Sequence, residues 1–168
     1  MSYRPGLAMR RAGRSAGVAV VLLAVLSACG PGFEEPTSTT SISPDQAGTP
    51  SVNLLRKYGV SLPGEATSVH YREVVPRSGG TLYVRMRLPD EAARGWMTDL
   101  GGSASDLTKG WSPVSSHELR ESGWHIEKSD EVFGAMIPIP ESGPETSKDV
   151  LIVEDTSETA WVYLVANL

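Results

Sequence analysis

Alternation marks the clearest elements of this chain. Leu82, Val84, Met86 and Leu88 fall on one side of an extended run, with Tyr83, Arg85 and Arg87 on the other. Period 2 with one polar side predicts a strand of an antiparallel sheet whose second face meets water. Val69 to Val75 alternates too: Val69, Tyr71 and Val75 share a side that Glu73 interrupts. Pro76-Arg77-Ser78-Gly79-Gly80 between the two runs reads as a hairpin loop. Val150 to Val153 and Trp161 to Ala166 are apolar throughout, which predicts burial on both faces. Asp155-Thr156-Ser157-Glu158 turns one into the other, so this last hairpin belongs at the centre of the sheet. Val132 to Ile139 predicts another strand, with Pro138 confining its end to an edge or bulge. Trp124 to Glu127 alternates briefly and predicts a short strand.

Helical spacing appears twice. Ser51 caps a short helix through Tyr58, with Leu54, Leu55 and Tyr58 on one stripe and Gly59 beyond its end. Pro89-Asp90-Glu91 opens the second helix, whose stripe is Ala92, Ala93, Trp96, Met97 and Leu100, and Gly101-Gly102 stops it. Ser103 to Gly123 is polar and poorly periodic; it predicts a long loop with one helical turn near Ser116 to Arg120. The order α-β-β-α-β-β-β-β predicts an α+β fold. It is a single small domain over residues 51–168, with a mostly antiparallel sheet of about five to six strands. One main helix packs on it, and a short N-terminal helix precedes it.

The chain before residue 51 has no such periods. Arg4, Arg10, Arg11 and Arg14 stand before an apolar run from Ala16 to Leu26, followed by small residues. That is the layout of an export signal, and the run is shorter than the roughly 20 residues a membrane span needs. Leu26-Ser27-Ala28-Cys29 resembles the lipobox of bacterial lipoproteins at all four positions. The resemblance covers residues 1–29 alone. It implies cleavage of the Ala28–Cys29 bond, removal of residues 1–28, and a diacylglycerol on Cys29, with or without a further N-acyl chain. It also implies anchorage in the lipid membrane, on its outer face. Cys29 is the one cysteine of the chain, so it has no disulfide partner within it. Arg10-Arg11 raises twin-arginine export, but Ala12-Gly13-Arg14 lack the apolar residues that route favours, and Sec-type export fits better. Residues 29–50 carry four prolines among Ser and Thr and read as a disordered tether. About 20 such residues reach roughly 25 Å.

Charge narrows the partners. Cleavage before Cys29 removes four arginines and no acid, taking the formal charge from −5 to −9. A chain this acidic does not bind nucleic acid or anionic lipid non-specifically.

Candidate chemistry is sparse. His70, His117 and His125 lack zinc-ligand spacing, so no metal or other cofactor is expected. Ser115, Ser116, His117 and Glu118 are neighbours in sequence, which does not make a triad, and there is no G-x-S-x-G. No catalytic residue is assigned. Asp90-Glu91 and Asp130-Glu131 are explained by capping and turning. Trp111 and Trp124 border the long loop, either packed beneath it or lining a pocket.

The leading expectation is therefore a non-catalytic binding or interaction domain held at the membrane. The alternatives are a small cell-envelope hydrolase using Ser103 to Glu127, and a cell-wall spacer or inhibitor-like protein. If alternation holds, Arg72, Tyr83, Arg85 and Arg87 share one outward face beside His70. Arginine forks and a flat ring suit an anionic group on an envelope protein or polymer. The competing expectation is that these arginines pair with local acids and are simply solvated.

Overall fold

The computed structural model describes residues 40–76, 79–127, 131–139 and 146–168, all within the unit Pro36–Leu168. The segment expected to be an export signal, Ala28 and Cys29, and the first half of the expected tether lie outside them.

Two-residue strands β1 (Ser41–Ile42) and β2 (Gln46–Ala47) come first. The long strands are β3 (Thr67–Val75), β4 (Thr81–Pro89), β6 (Val132–Pro138), β7 (Ser147–Glu154) and β8 (Thr159–Asn167). A short β5 (Thr108–Lys109) precedes β6. All eight form one sheet, in the order β1-β3-β4-β8-β7-β6-β5, with β2 also pairing β3. Every pairing is antiparallel.

The apolar run that forms β8 does lie at the centre, between β4 and β7. Val162, Leu164 and Ala166 face one side, and Val165 and Tyr163 the other. A strand buried on both faces has no side to give to polar residues, which is why this run has no alternation.

On the first face, α2 (Asp90–Asp99) lays Ala93, Trp96 and Met97 over Val84, Met86 and Leu164. Asp90 and Glu91 sit in its first turn, where the helix dipole favours them. Arg94 joins Asp90 and Glu154, each at 2.9 Å. The Trp96 indole N–H donates to the Ser61 carbonyl at 2.7 Å, so its buried polar atom is satisfied. Helix α1 (Val52–Lys57) is capped by Ser51, whose Oγ accepts from the Leu54 amide. Glu73, the residue that interrupts the β3 pattern, is what fixes the end of α1. It accepts from Tyr58 Oη at 2.9 Å and pairs with Lys57 at 2.7 Å.

The second face is also covered, which corrects the expectation of a wet face. Residues 111–127 cross it, including α3 (Ser116–Ser122). Trp124 meets Tyr83 and Tyr163 edge-on, at 5.7 and 5.0 Å between ring centres. The short strand expected at 124–127 is therefore an irregular segment, because its tryptophan is buried among side chains rather than paired along a ladder. The helical turn near Ser116 extends to seven residues, with a capping box between Ser115 and Glu118.

Eight strands replace the expected five to six because three two-residue strands carry too few positions to show a period. Two of these fall in the stretch read as tether. β1 and β2 lie along β3 through polar contacts: Ser43 Oγ donates to the Glu73 carbonyl, and Tyr71 Oη donates to Gln46. Such pairing needs no apolar pattern.

Candidate functional site

Strand β7 carries two charged residues directly after its first, Ser147, and both are buried. Lys148 is 9 % exposed and Asp149 5 %. Adjacent residues of a strand point to opposite faces, so they enter different surroundings.

Lys148 points to the first face, in register with Ala166 and Ile137. Its Nζ donates to the Leu100 carbonyl at 3.0 Å, at the end of α2. The last carbonyls of a helix lack intrahelical partners and favour a cation. Burial lowers the ammonium pKa from its ordinary value. Lys148 separates two clefts. One, of about 350 Å³, runs along β6 past Met136, Ile137 and Ile139 to Gly102. The other, of about 240 Å³, holds Arg56, Lys57 and Gly59. Gly59 takes the left-handed region at φ 59°, and a side chain there would come within 3.8 Å of Lys148 Nζ. The arrangement can grip the anionic end of a ligand between a buried ammonium and a surface guanidinium.

Asp149 points to the second face, under α3. Its carboxyl is pushed up to about 6, by burial first and by the nearby Glu118 charge, with a Ser147 hydrogen bond opposing. Its Oδ1 is buried without a hydrogen-bond partner.

Neither residue was singled out from sequence, although a signal existed. Lys148-Asp149 directly precedes Val150-Leu151-Ile152-Val153, the run assigned to burial on both faces. Extending that strand by two residues would have buried both charges.

The residues that were singled out are brought together only in part. Cys29 and Ala28 lie outside the described residues. Arg72, Tyr83, Arg85 and Arg87 do share the second face with His70, but they do not form an open surface. Tyr83 is 2 % exposed, and its hydroxyl donates to Glu121 Oε2 at 2.8 Å, which raises its pKa further beyond what burial does. Arg72 Nη1 donates to the Glu121 carbonyl. Arg85 lies over the Trp161 ring at 5.3 Å, and Arg87 pairs with Asp155 and Thr159. His70 faces Asp45 at 3.3 Å. Of the three arginines only Arg87 meets an acid, while Arg72 meets a carbonyl and Arg85 a ring.

The Ser103 to Glu127 region does not converge on one point. Ser115 and Glu118 cap α3. His117 is exposed beside Glu121, and His125 is exposed beside Glu127. Trp124 is packed beneath its own loop, whereas Trp111 is 42 % exposed. Among the described residues no three or more His, Cys, Asp and Glu side chains gather as metal ligands. No described helix is long and apolar enough to cross a membrane.

Set against models of known protein families, curated proteins and solved structures, the chain matches none of them. The functional reading therefore rests on residues and geometry alone.

Proposed function

We propose that this chain is a lipid-anchored, extracytoplasmic lipoprotein whose domain binds a ligand without transforming it, at the clefts around Lys148. The observation that carries the reading is Leu26-Ser27-Ala28-Cys29 at the end of a short apolar run preceded by arginines alone. The diacylglycerol on Cys29 is the anchor, and the proline-rich stretch after it sets the domain's reach. Two acyl chains anchor stably where one is marginal, since each buried CH₂ contributes about 0.8 kcal/mol. Ligand binding is supported by Lys148, a buried cation that walls two open clefts. The partner class remains an anionic group of the envelope. The Lys148 clefts suit it better than Arg72, Arg85 and Arg87, whose charges face a carbonyl, a ring and one local acid in turn.

Fractionation of producing cells tests the anchor. Wild type should sediment with membranes and Cys29→Ala should not be processed or should leave them. Equal distribution of the two with residues 1–28 removed from both would overturn the reading.

A second reading, a small envelope hydrolase working from the Ser103 to Glu127 region, is favoured by one observation. Asp149 titrates near 6 beside Glu118 of that region, the range a general acid uses. Ester or peptide hydrolysis by the wild type that is lost in Asp149→Asn would favour it over the first reading.

A further inference from the structure

The cleft holding Arg56 and Lys57 does not stand alone. It shares Lys148 and Ile139 with the cleft along β6. It shares Arg56 and Gly59 with a third cleft of about 500 Å³, lined by Val52, Leu55, Val60 and Leu62. The three clefts lie side by side, each neighbouring pair sharing lining residues. The groove they make up is lined mostly by apolar side chains at both ends and by cations in the middle. The β6 end presents Met136, which is 54 % exposed, and the α1 end presents Val52, 68 % exposed.

The middle is cationic on a chain that is otherwise strongly acidic. Lys57 is paired to Glu73, but Arg56 has no carboxylate partner among the described residues, only Asn53 at 3.4 Å. The Leu100 carbonyl occupies one of the three Lys148 donors. Asp106, the acid at the β6 end, is turned into a cap and accepts from the Ser103 amide at 2.8 Å. Charge complementarity therefore calls for an anion between two apolar arms.

We propose that this groove binds one phospholipid molecule, its phosphate between Arg56 and Lys148 and its acyl chains in the flanking apolar clefts. This rests on the membrane-anchored reading: with β1 already on the sheet at Ser41, about a dozen residues of tether hold the domain within about 20 Å of a supply of such molecules. An ammonium and a guanidinium form charge-assisted hydrogen bonds to phosphate oxygens, which are shorter and stronger than neutral ones. The apolar arms supply affinity through area removed from water. Neither part suffices alone. Inorganic phosphate lacks the arms, and a neutral diacylglycerol leaves Lys148 buried without its anion.

The test uses the full mature protein reconstituted in vesicles of a zwitterionic lipid. These carry a trace of phosphatidic acid with a photoreactive acyl chain, or the phosphate-free diacylglycerol with the same chain. After illumination, the labelled peptides are mapped. Labels should fall on residues 52–62 and 132–139, about tenfold more with the phosphate probe than with the neutral one. Lys148→Gln should lower labelling about thirtyfold, the effect of removing one partner of a buried charge contact. Arg56 is exposed, so Arg56→Gln reads the groove without touching the core and should lower labelling about threefold. Arg120→Gln, in α3 on the other face, should change nothing. Equal labelling by the two probes, unchanged labelling in both groove variants, or labels mapped to α3 would overturn the proposal. Suppression by millimolar inorganic phosphate would overturn it in favour of phosphate alone. A Cys29→Ser chain given the same probe in micelles separates the two readings. Groove labelling in a protein whose wild type carries no lipid keeps the groove and removes the anchor. A lipidated wild type with an unlabelled groove does the reverse.

Discussion

The two faces of this sheet are covered by different means. The first is closed by α2 and α1, with aliphatic side chains that reach full burial: Leu82, Val84, Met86, Met97, Ile152 and Leu164 are all at 0 % exposure. The second is closed by an irregular segment and one short helix, held by rings and polar clamps. Tyr83 and Arg72 both fasten Glu121, and Trp124 sits between two tyrosines. Area burial is non-directional and tolerates no vacancy, whereas polar clamps are directional and lose only what one bond contributes. The first face therefore carries most of the stability. The clefts open at its margin, where α1, α2 and β6 leave gaps around Lys148.

The largest effect should come from the first face. Leu164→Ala removes a fully buried side chain from the central strand and should destabilise the domain by about 3 kcal/mol, read as a lower urea midpoint at unchanged slope. A loss no larger than that of a second-face clamp would break the comparison.

Asp149 should give the next effect, and it depends on pH. Its folded pKa, about 6, is raised above the ordinary 3.8. The folded state therefore holds the proton more tightly than the unfolded state. The associated stability is fully present below about pH 4 and is lost as pH rises through about 6. Wild type should lose on the order of 2 kcal/mol relative to Asp149→Asn across that window. Parallel melting curves for the two proteins at acid and neutral pH would show that the second face does not bury this carboxyl.

Gly134→Ala probes how closely the irregular segment is pressed down. A Cβ there would collide with the Trp111 carbonyl and Pro113 Cδ. The expected loss is about 1.5 kcal/mol, with Trp111 fluorescence shifted as the segment lifts. Tyr83→Phe keeps the ring contacts and removes only the bond to Glu121; a loss of about 1 kcal/mol by chemical denaturation is expected.

The long strands, α2 and the central placement of β8 were legible in sequence, because burial writes a period or an unbroken apolar run. The second-face cover was not. Val114, Leu119 and Trp124 stand five residues apart, which fits neither period, the brief alternation of Trp124 and Ile126 pointed to a strand instead, and what fixes all four is tertiary. Arg85 and Arg87 alternate as an outward face would, yet Trp161 and Asp155 from a distant hairpin reach them. No local pattern reports that. Glu73 read as a break in a strand and is the anchor of α1. Lys148 and Asp149 precede the apolar run that was assigned to burial and are themselves buried members of the same strand. Their chemistry follows from burial, which the flanking polar stretch concealed.

Intact mass spectrometry of the mature protein extracted from membranes tests the central claim most directly. The chain should begin at Cys29 and be heavier than its sequence mass by a diacylglyceryl group, with or without a further acyl chain, and be of sequence mass in Cys29→Ala if cut at all. A wild-type chain with an unmodified Cys29, or one still carrying residues 1–28, would contradict it.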